Sequence, residues 1–437
     1  MRAHVRGRKT LATISVVTAA CLMTAACGGD DGGSGGDDDG AVTIWTSVDQ
    51  TVMDGLQAAM DRKTEGTDLE VTFERVDSID KLLKTRIASG EVPDIALVPQ
   101  PGVVSSIVEL GAAFPLDDVI DMEAAEESMV PGALDAGMVD DQLYGLLVSM
   151  NVKSLIFYPK KAFEEAGYET PESLDDLNAL ADQIKGDGGT PYCLYMESGD
   201  ATGWLATDWF EDLIMRFGSP EEYDQWVTNE IKFDSDLVRE AAAYFENVAF
   251  TEGNVLGGRK AIVATPFNEA ARPMFADGGP DCWLLKQGSF FTGPDFLPEN
   301  VVADLDGELG VTGFPPAEAG GDNPVLGGGD LAILMNDSDS AKEAMALLAE
   351  ADMGNEAAPA SSFISPHTTF DVALYPSDTT RAIADVAYQS TAFRFDGSDA
   401  MPAEVGAGSF WKEMTAWIND QQDLDTTLTN IDNSWPQ

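Results

Sequence analysis

An α/β fold built around a mostly parallel sheet is predicted by two observations. Strand-period and helix-period apolar patterns alternate from residue 41 onward, and the alternation restarts as a second unit at residue 154. The chain has 437 residues, of which 44% are apolar, enough for more than one core and too many for wholesale disorder.

Val42-Thr43-Ile44-Trp45 reads as the first strand, and Val52, Leu56, Ala59 and Met60 follow at helical spacing. Leu69, Val71 and Phe73 alternate as a second strand, and Ile79, Leu82, Leu83 and Ile87 return to a period of 3.6. Pro93-Asp94 stops that helix, with Asp94 as a cap or turn residue, and Ile95-Ala96-Leu97-Val98 is a third strand, apolar on both faces. The second unit opens with the strand Ser154-Leu155-Ile156-Phe157-Tyr158. Thr170-Pro171-Glu172-Ser173 marks a helix start, with hydroxyl, proline and acid in the positions a first turn favours. Leu174, Leu177, Leu180 and Ile184 continue that helix on one face. Tyr192-Cys193-Leu194-Tyr195 reads as a strand, and a Trp-rich helix runs from about Trp204 to Phe217. Residues 310–335 interrupt the alternation with turn formers, Pro315-Pro316, Gly320-Gly321 and Gly327-Gly328-Gly329-Asp330. The last strong helix starts near Ser409, with Phe410, Met414, Trp417 and Ile418 aligned.

Charge narrows the function. Asp and Glu number 76 against 25 Lys and Arg, a formal −51, which repels nucleic acid, anionic lipid and polyanionic substrates. Two histidines and four cysteines leave little for a transition-metal site. No GxGxxG follows a strand, and there is no phosphate loop, HExxH, Gly-x-Ser-x-Gly or EF-hand spacing, so no cofactor or metal is expected.

The amino-terminal end reads as an export signal. Arg2, Arg6, Arg8 and Lys9 precede an apolar run from Leu11 to Met23 that is too short to span a membrane. Met23-Thr24-Ala25-Ala26-Cys27-Gly28 resembles a bacterial lipobox, departing from it by Thr24 where Leu is usual. Residues 1–26 are thus expected to be a lipoprotein signal peptide and Cys27 the lipidated first residue of the mature chain. Cleavage near Ala26 as an ordinary secretory peptide is the other reading. Residues 27–40, almost wholly Gly and Asp, form a tether, and loss of the four leader cations takes the charge from −51 to −55. Cys193 and Cys282 remain as an even pair in an oxidising compartment, where a disulfide is expected.

The mature chain resembles the extracellular solute-binding proteins of carbohydrate ABC importers. The likeness is carried by Thr43-Ile44-Trp45, Ser89-Gly90-Glu91-Val92-Pro93-Asp94, Tyr144-Gly145, Val152 to Tyr158, and Phe163-Glu164-Glu165-Ala166-Gly167-Tyr168 before Pro171. Thr190-Pro191-Tyr192-Cys193, Glu197-Ser198-Gly199, Thr202-Gly203-Trp204, Ala206 to Trp209, Gly253 to Gly258, Phe393-Arg394-Phe395-Asp396 and Gly408 to Lys412 resemble the alpha-glucoside-binding subgroup. The resemblance implies a two-lobed periplasmic-binding-protein fold of type II, each lobe a mainly parallel sheet flanked by helices, with the ligand cleft between lobes that close by hinge bending. Lobe 1 is expected to hold 41–150 and 290–335, and lobe 2 to hold 151–289 and 336–437, with both cysteines of the pair in lobe 2. It implies a non-catalytic monomer, lipid-anchored outside the cell, that delivers sucrose, maltose, trehalose or a similar sugar to permease subunits. Another oligosaccharide or an amino sugar is the alternative ligand. A secreted glycoside hydrolase, or a surface protein that binds another protein through a vestigial cleft, is the alternative class.

Sugars require flat aromatic side chains for their C–H faces and charged or amide groups for their hydroxyls. Trp45, Asp49 and Gln50 stand at the carboxyl end of the first strand, Gln100 just past the third, and Asn151 at the first crossing between units. Glu197, Asp200 and Trp204 follow the Cys193 strand, and Asp330 follows three glycines. Family resemblance makes Trp411, in its Ser-Phe-Trp context, a sugar-stacking residue. Arg394 is a hydroxyl donor or a partner of Asp396 or Asp399. The bland alternatives are core packing for each tryptophan and solvated surface for each acid.

Overall fold

The structure, a computed structural model, describes residues 40–436. The leader, Cys27 and nearly all of the tether lie outside the described residues.

Buried Val42, Ile44 and Thr46 alternate with more accessible neighbours along β1 (Ala41–Thr46), which therefore turns one face to the core. The helix α1 (Gln50–Lys63) returns over the sheet and buries Val52, Leu56, Ala59 and Met60. β2 (Glu70–Arg75), α2 (Ile79–Ser89), β3 (Ile95–Val98) and α3 (Pro101–Glu109) complete the expected alternation. β1 pairs in parallel with β2 on one side and β3 on the other. Asp94 fastens this end of the sheet, its carboxylate accepting from the Thr43 amide at 2.8 Å and from Asn336 Nδ2 at 2.6 Å.

The Val325–Leu334 strand lies antiparallel beside β3, and the Gly145–Val152 strand lies antiparallel to it in turn. The Phe393–Phe395 strand joins in parallel, making a six-stranded sheet. The expectation of turns across 310–335 is corrected: strands Leu309–Gly313 and Val325–Leu334 occupy much of it, with the three glycines inside the second. Close packing is the reason. A Cβ on Gly329 would stand 2.0 Å from the Ser149 carbonyl oxygen, so glycine there reports a near approach of two strands.

The second sheet is antiparallel where a parallel one was expected. Leu155–Pro159 is flanked by Leu285–Lys286 and Leu309–Gly313, and both run antiparallel to it. Tyr192 to Tyr195 form no strand; Tyr192 makes isolated bridges to Val255 and Leu284. The helix Leu174–Gly186 is capped by Ser173, whose hydroxyl accepts from the Asp176 amide at 3.1 Å, so the start lies three residues beyond Thr170. The Trp204–Phe217 helix keeps its expected bounds.

Buried apolar side chains form two clusters. One gathers the six-stranded sheet with α1, α2 and α3, the other gathers the helices between Phe163 and Ala249 with the chain from Met401 to Ile431. Side chains from Ala341 to Phe395 pack with the first cluster, although the sequence placed them in the second lobe. The Asp339–Leu348 helix packs on β1 and the Val325–Leu334 strand, and Phe393–Phe395 extends the first sheet. Cys193 and Cys282 are disulfide-bonded as expected, with Cα atoms 5.4 Å apart.

Three connections leave the six-stranded sheet for the second cluster: residues 153–154, 314–324 and 396–403. All three meet the Trp204–Phe217 helix. Lys153 pairs with Asp208 at 3.2 Å, and the Ser154 hydroxyl donates to Asp212. Arg216 donates to the carbonyls of Phe314, Pro315 and Pro324 at 2.8, 2.8 and 3.1 Å. Glu211 accepts from the Gly397 and Ser398 amides at 3.1 Å each.

Candidate functional site

A cavity of about 320 Å³ opens where β1, β3 and the Gly145–Val152 strand end. Its walls are Ser47, Asp49, Ser149, Asn151 and Asp330, with Phe290 and Phe363 among the apolar lining. Carboxylates and an amide beside two rings suit a ligand with both hydroxyl edges and apolar faces. A larger hollow of about 850 Å³ lies between the Lys160–Ala166 and Leu174–Gly186 helices, yet contains none of the candidate residues and sits away from the strand ends.

Three candidates line the smaller cavity together. Asn151 stands opposite Gly328 in the ladder, Asp330 stands opposite Ser149, and Asp49 precedes α1 without capping it. The Ser149 hydroxyl donates to Asp330 Oδ2 at 2.7 Å. Burial raises the Asp330 carboxyl above the usual range; the serine hydrogen bond pulls it down and the charge of Asp49 adds to the rise. A ladder irregularity falls just after Asp330 and re-aims the strand there.

One tryptophan, Trp204, borders this region from the second cluster, and the Trp411 backbone adjoins it. Trp204 begins its helix half-buried, edge-on to Phe267 with centroids 5.3 Å apart and 6.1 Å from Phe290, itself a wall of the cavity. The Lys153 ammonium stands 5.7 Å from the Trp204 ring centroid. Trp411 begins the Trp411–Ile418 helix behind a π-helical turn, Glu404–Phe410, and donates from Nε1 to Ser398 Oγ at 3.3 Å. A Cβ on Gly203 would fall 2.4 Å from the Trp411 carbonyl oxygen, so glycine lets Trp204 and Trp411 lie on adjoining backbone.

The remaining candidates point elsewhere. Trp45 donates to Glu74 Oε2 at 3.0 Å on the neighbouring strand, and Gln50 donates to Asp54 Oδ1 at 2.7 Å along its own helix. Gln100 donates to Asp399 Oδ1 at 2.7 Å. Glu197 caps its own turn by accepting from the Gly199 amide at 2.9 Å, and Asp200 is exposed in that turn. Arg394 pairs with Asp224 at 2.8 Å and Asp135 at 3.2 Å, not with Asp396 or Asp399. Phe290, Phe363, Ser47 and Ser149 were missed. Phenylalanine and serine carry no motif, and Phe290 and Phe363 lie far along the chain from the strand ends that drew attention.

Beside the tryptophans, Asp208, Glu211 and Asp396 bring carboxylate oxygens within 4.8 Å of one another. The cation they face is the Lys153 ammonium, which pairs with Asp208 and Asp396. Burial pulls the lysine down, but Asp208 and Asp396 outweigh it and hold its pKa well above the ordinary value.

A cavity at strand ends, bordered by rings from a second packed body, defines a small-molecule-binding protein of the two-lobed α/β kind. The chain belongs to the bacterial extracellular solute-binding protein family, whose model matches residues 48–351. It is 36% identical over 382 residues to the osmoprotective compounds-binding protein GgtB of Synechocystis, covering 87% of this chain and 89% of that one. It is 33% identical over 400 residues to the alpha-glucosides-binding periplasmic protein AglE of Rhizobium meliloti, covering 90% and 85%. The solved bacterial solute receptor AcbH, described as preferring galactopyranose, shares the fold with a TM-score of 0.76 at 16% identity, covering 91% of this chain and 98% of that one. The two-lobed type II fold inferred from the sequence is therefore the fold of this chain. The family and these relatives are solute-binding proteins and not enzymes, which removes the hydrolase alternative. Among the described residues no helix is long and apolar enough to cross a membrane.

Proposed function

We propose that the protein is the extracellular receptor of a carbohydrate importer and captures an alpha-glucoside such as sucrose, maltose or trehalose. The observation that carries this is the cavity itself. Asp49, Asn151 and Asp330 offer acceptors and an amide for hydroxyls, while Phe290, Phe363 and the bordering Trp204 offer flat apolar faces, to which closure would add Trp411. The 33% identity to AglE supports the glucoside. Closure of the two lobes about the three connections holds the sugar, because only the closed form contacts it from both sides. The closed protein is then presented to the permease subunits by a monomer anchored through lipid on Cys27. In this reading lobe 1 comprises the six-stranded sheet with residues 41–150 and 325–395, and the Trp204–Phe217 helix belongs to lobe 2.

The 36% identity to GgtB favours a second ligand class, an osmoprotective compound. A thermal-shift and calorimetric panel decides between them. Stoichiometric binding of sucrose, maltose or trehalose is the expected result. Binding only of osmoprotective compounds other than these sugars would replace the glucoside reading, and silence across the whole panel would sink both.

A further inference from the structure

The junction of the three connections with the Trp204–Phe217 helix carries more than structure needs. Lys153 comes from the first connection, Asp396, Ser398 and Asp399 from the third, and Asp208 and Glu211 from the helix. Four carboxyl groups thus face one ammonium, those of Asp208, Glu211 and Asp396 buried and that of Asp399 partly accessible. Asp212 and Arg216 on the same helix, with Lys286 from the second sheet, form a separate group: Arg216 pairs with Asp212 at 2.8 Å and Lys286 with its other oxygen at 2.6 Å. Tyr223 from the Pro220–Val227 helix closes the far side and donates to the Phe395 carbonyl at 2.9 Å. On that helix Asp224 is taken by Arg394. The Lys286 ammonium also donates to the Asp208 carbonyl at 3.1 Å and its charge pulls on the Asp208 carboxyl, but among the described residues no ion pair reaches Glu211 or Asp399, and carboxylates this close repel one another unless one keeps its proton.

The junction also contacts both tryptophans and a residue at the start of the first sheet's α3. Ser398 Oγ donates to Asp396 Oδ1 at 2.7 Å and receives Trp411 Nε1, so the acid network holds one proposed stacking ring. The Lys153 ammonium faces the Trp204 ring. Gln100, at the start of α3 on the first cluster, donates to Asp399 and covers it.

We propose that this junction retains a proton on its carboxyl groups when the lobes are closed and releases it when they part, so that solute capture is linked to proton uptake. Parting withdraws Gln100 and admits water to Asp399, which ionises once solvated. Consistent with this, burial and the charge of Asp396 push Asp399 up to about 7, and burial pushes Asp208 to about 7 against the pull of Lys153. Burial with Asp396 and Asp208 holds Glu211 well above the usual range, while Lys153 and its hydrogen bonds keep Asp396 ionised and low despite its burial.

The sign follows. The closed form binds more protons between the pKa of a solvated carboxyl and that of the covered one, so affinity falls as pH rises through that window and levels off above it. The inference rests on the receptor reading, and the test separates the two. Calorimetric titration of the purified protein with the tightest-binding of sucrose, maltose and trehalose is run from pH 5 to 8, with phosphate and MES compared near pH 6.3, where their ranges overlap inside that window. The expected result is affinity weakening by up to about tenfold per pH unit below pH 7, with apparent heats that differ between buffers as proton uptake requires. Asp399→Asn, which keeps an acceptor for Gln100 and cannot ionise, flattens the profile. Asp208→Asn serves if that variant does not fold, and the two-buffer measurement on the unaltered protein stands without either. Binding with a flat profile and equal heats overturns the proton linkage alone. Failure of all three sugars to bind overturns the receptor reading and the linkage with it.

Discussion

Removing the disulfide tests how the chain between residues 193 and 282 is held together. The Cys193–Cys282 bond closes a loop spanning 89 residues. With n near 90 in the chain-entropy relation, the cross-link lowers the entropy of the unfolded chain by about 15 cal/mol/K, or about 4–5 kcal/mol at 25 °C. Both cysteines are buried, so alanine at each position leaves small cavities and no unpaired polar group. The native arrangement does not depend on the bond alone: the Cys193 amide donates to the Leu284 carbonyl at 2.9 Å and the Tyr192 amide to the Asn254 carbonyl at 2.8 Å. The double variant Cys193→Ala with Cys282→Ala should therefore fold and bind sugar with little change, yet melt lower. For some 400 residues the unfolding entropy is about 0.8 kcal/mol/K, which converts the loss to a fall in Tm of about 5 °C. If the two clusters melt separately, the shift concentrates in the transition that contains residues 193–282. Scanning calorimetry of the oxidised protein and the double variant reads it directly. A double variant melting within about 1 °C of the parent would refute the loop-closure argument.

Three further outcomes follow from the site and the core. Trp411→Ala should weaken sugar binding by about 2 kcal/mol, or some thirtyfold, through loss of a stacking face, with an unchanged circular dichroism spectrum; unaltered affinity by calorimetry would remove the stacking role. Asp330→Asn keeps an acceptor for the Ser149 hydroxyl but loses charge-assisted bonding to sugar, and should cost about 1.5–3 kcal/mol of affinity with stability unchanged or raised; equal affinity in the variant would show that the carboxylate does not meet the ligand. Burial lowers the His367 imidazole to about 4, below its value in the unfolded chain. The unfolded state takes the proton first, so stability should fall by about 3 kcal/mol as pH drops from 6.5 to 4, and His367→Gln should remove that fall. Identical pH dependence of Tm in the two proteins would count against it.

The βαβαβ opening was legible because each strand is short and bounded, and its two helices repeat apolar residues at a single period. The antiparallel neighbours were not. Nothing in Val325–Leu334 says that it inserts beside β3, because register between strands 230 residues apart is set by what both faces bury. The three glycines misled for a related reason: glycine signals turns on average, but inside a sheet it marks the close approach of another backbone, here that of Ser149. Of the candidate residues beside strand ends, Asp49, Asn151 and Asp330 line the cavity, whereas Trp45 turns to Glu74 and Gln100 to Asp399. Gln50, one residue past Asp49, turns along α1 because it already belongs to the helix.

The Trp204–Phe217 helix shows where periodicity stops informing. Asp208, Glu211, Asp212 and Arg216 fall at offsets of three, four and eight from the first, a polar stripe on one face of a helix otherwise rich in Trp, Phe, Leu and Ile. Taken alone, such a stripe is the solvent face of an amphipathic helix. In the fold it is buried, since the three connections from the first sheet pass over it and supply its partners: Lys153 and Ser154, then the carbonyls of Phe314, Pro315 and Pro324, then the amides of Gly397 and Ser398. A backbone crossing between two packed bodies leaves sheet and helix ladders behind, and its polar groups still require partners. A charged helix face laid under all three crossings satisfies them together. Acids that look like part of a strongly acidic surface thus serve where the chain has to stay polar inside, and only the tertiary path of residues 55 to 187 positions away reveals it.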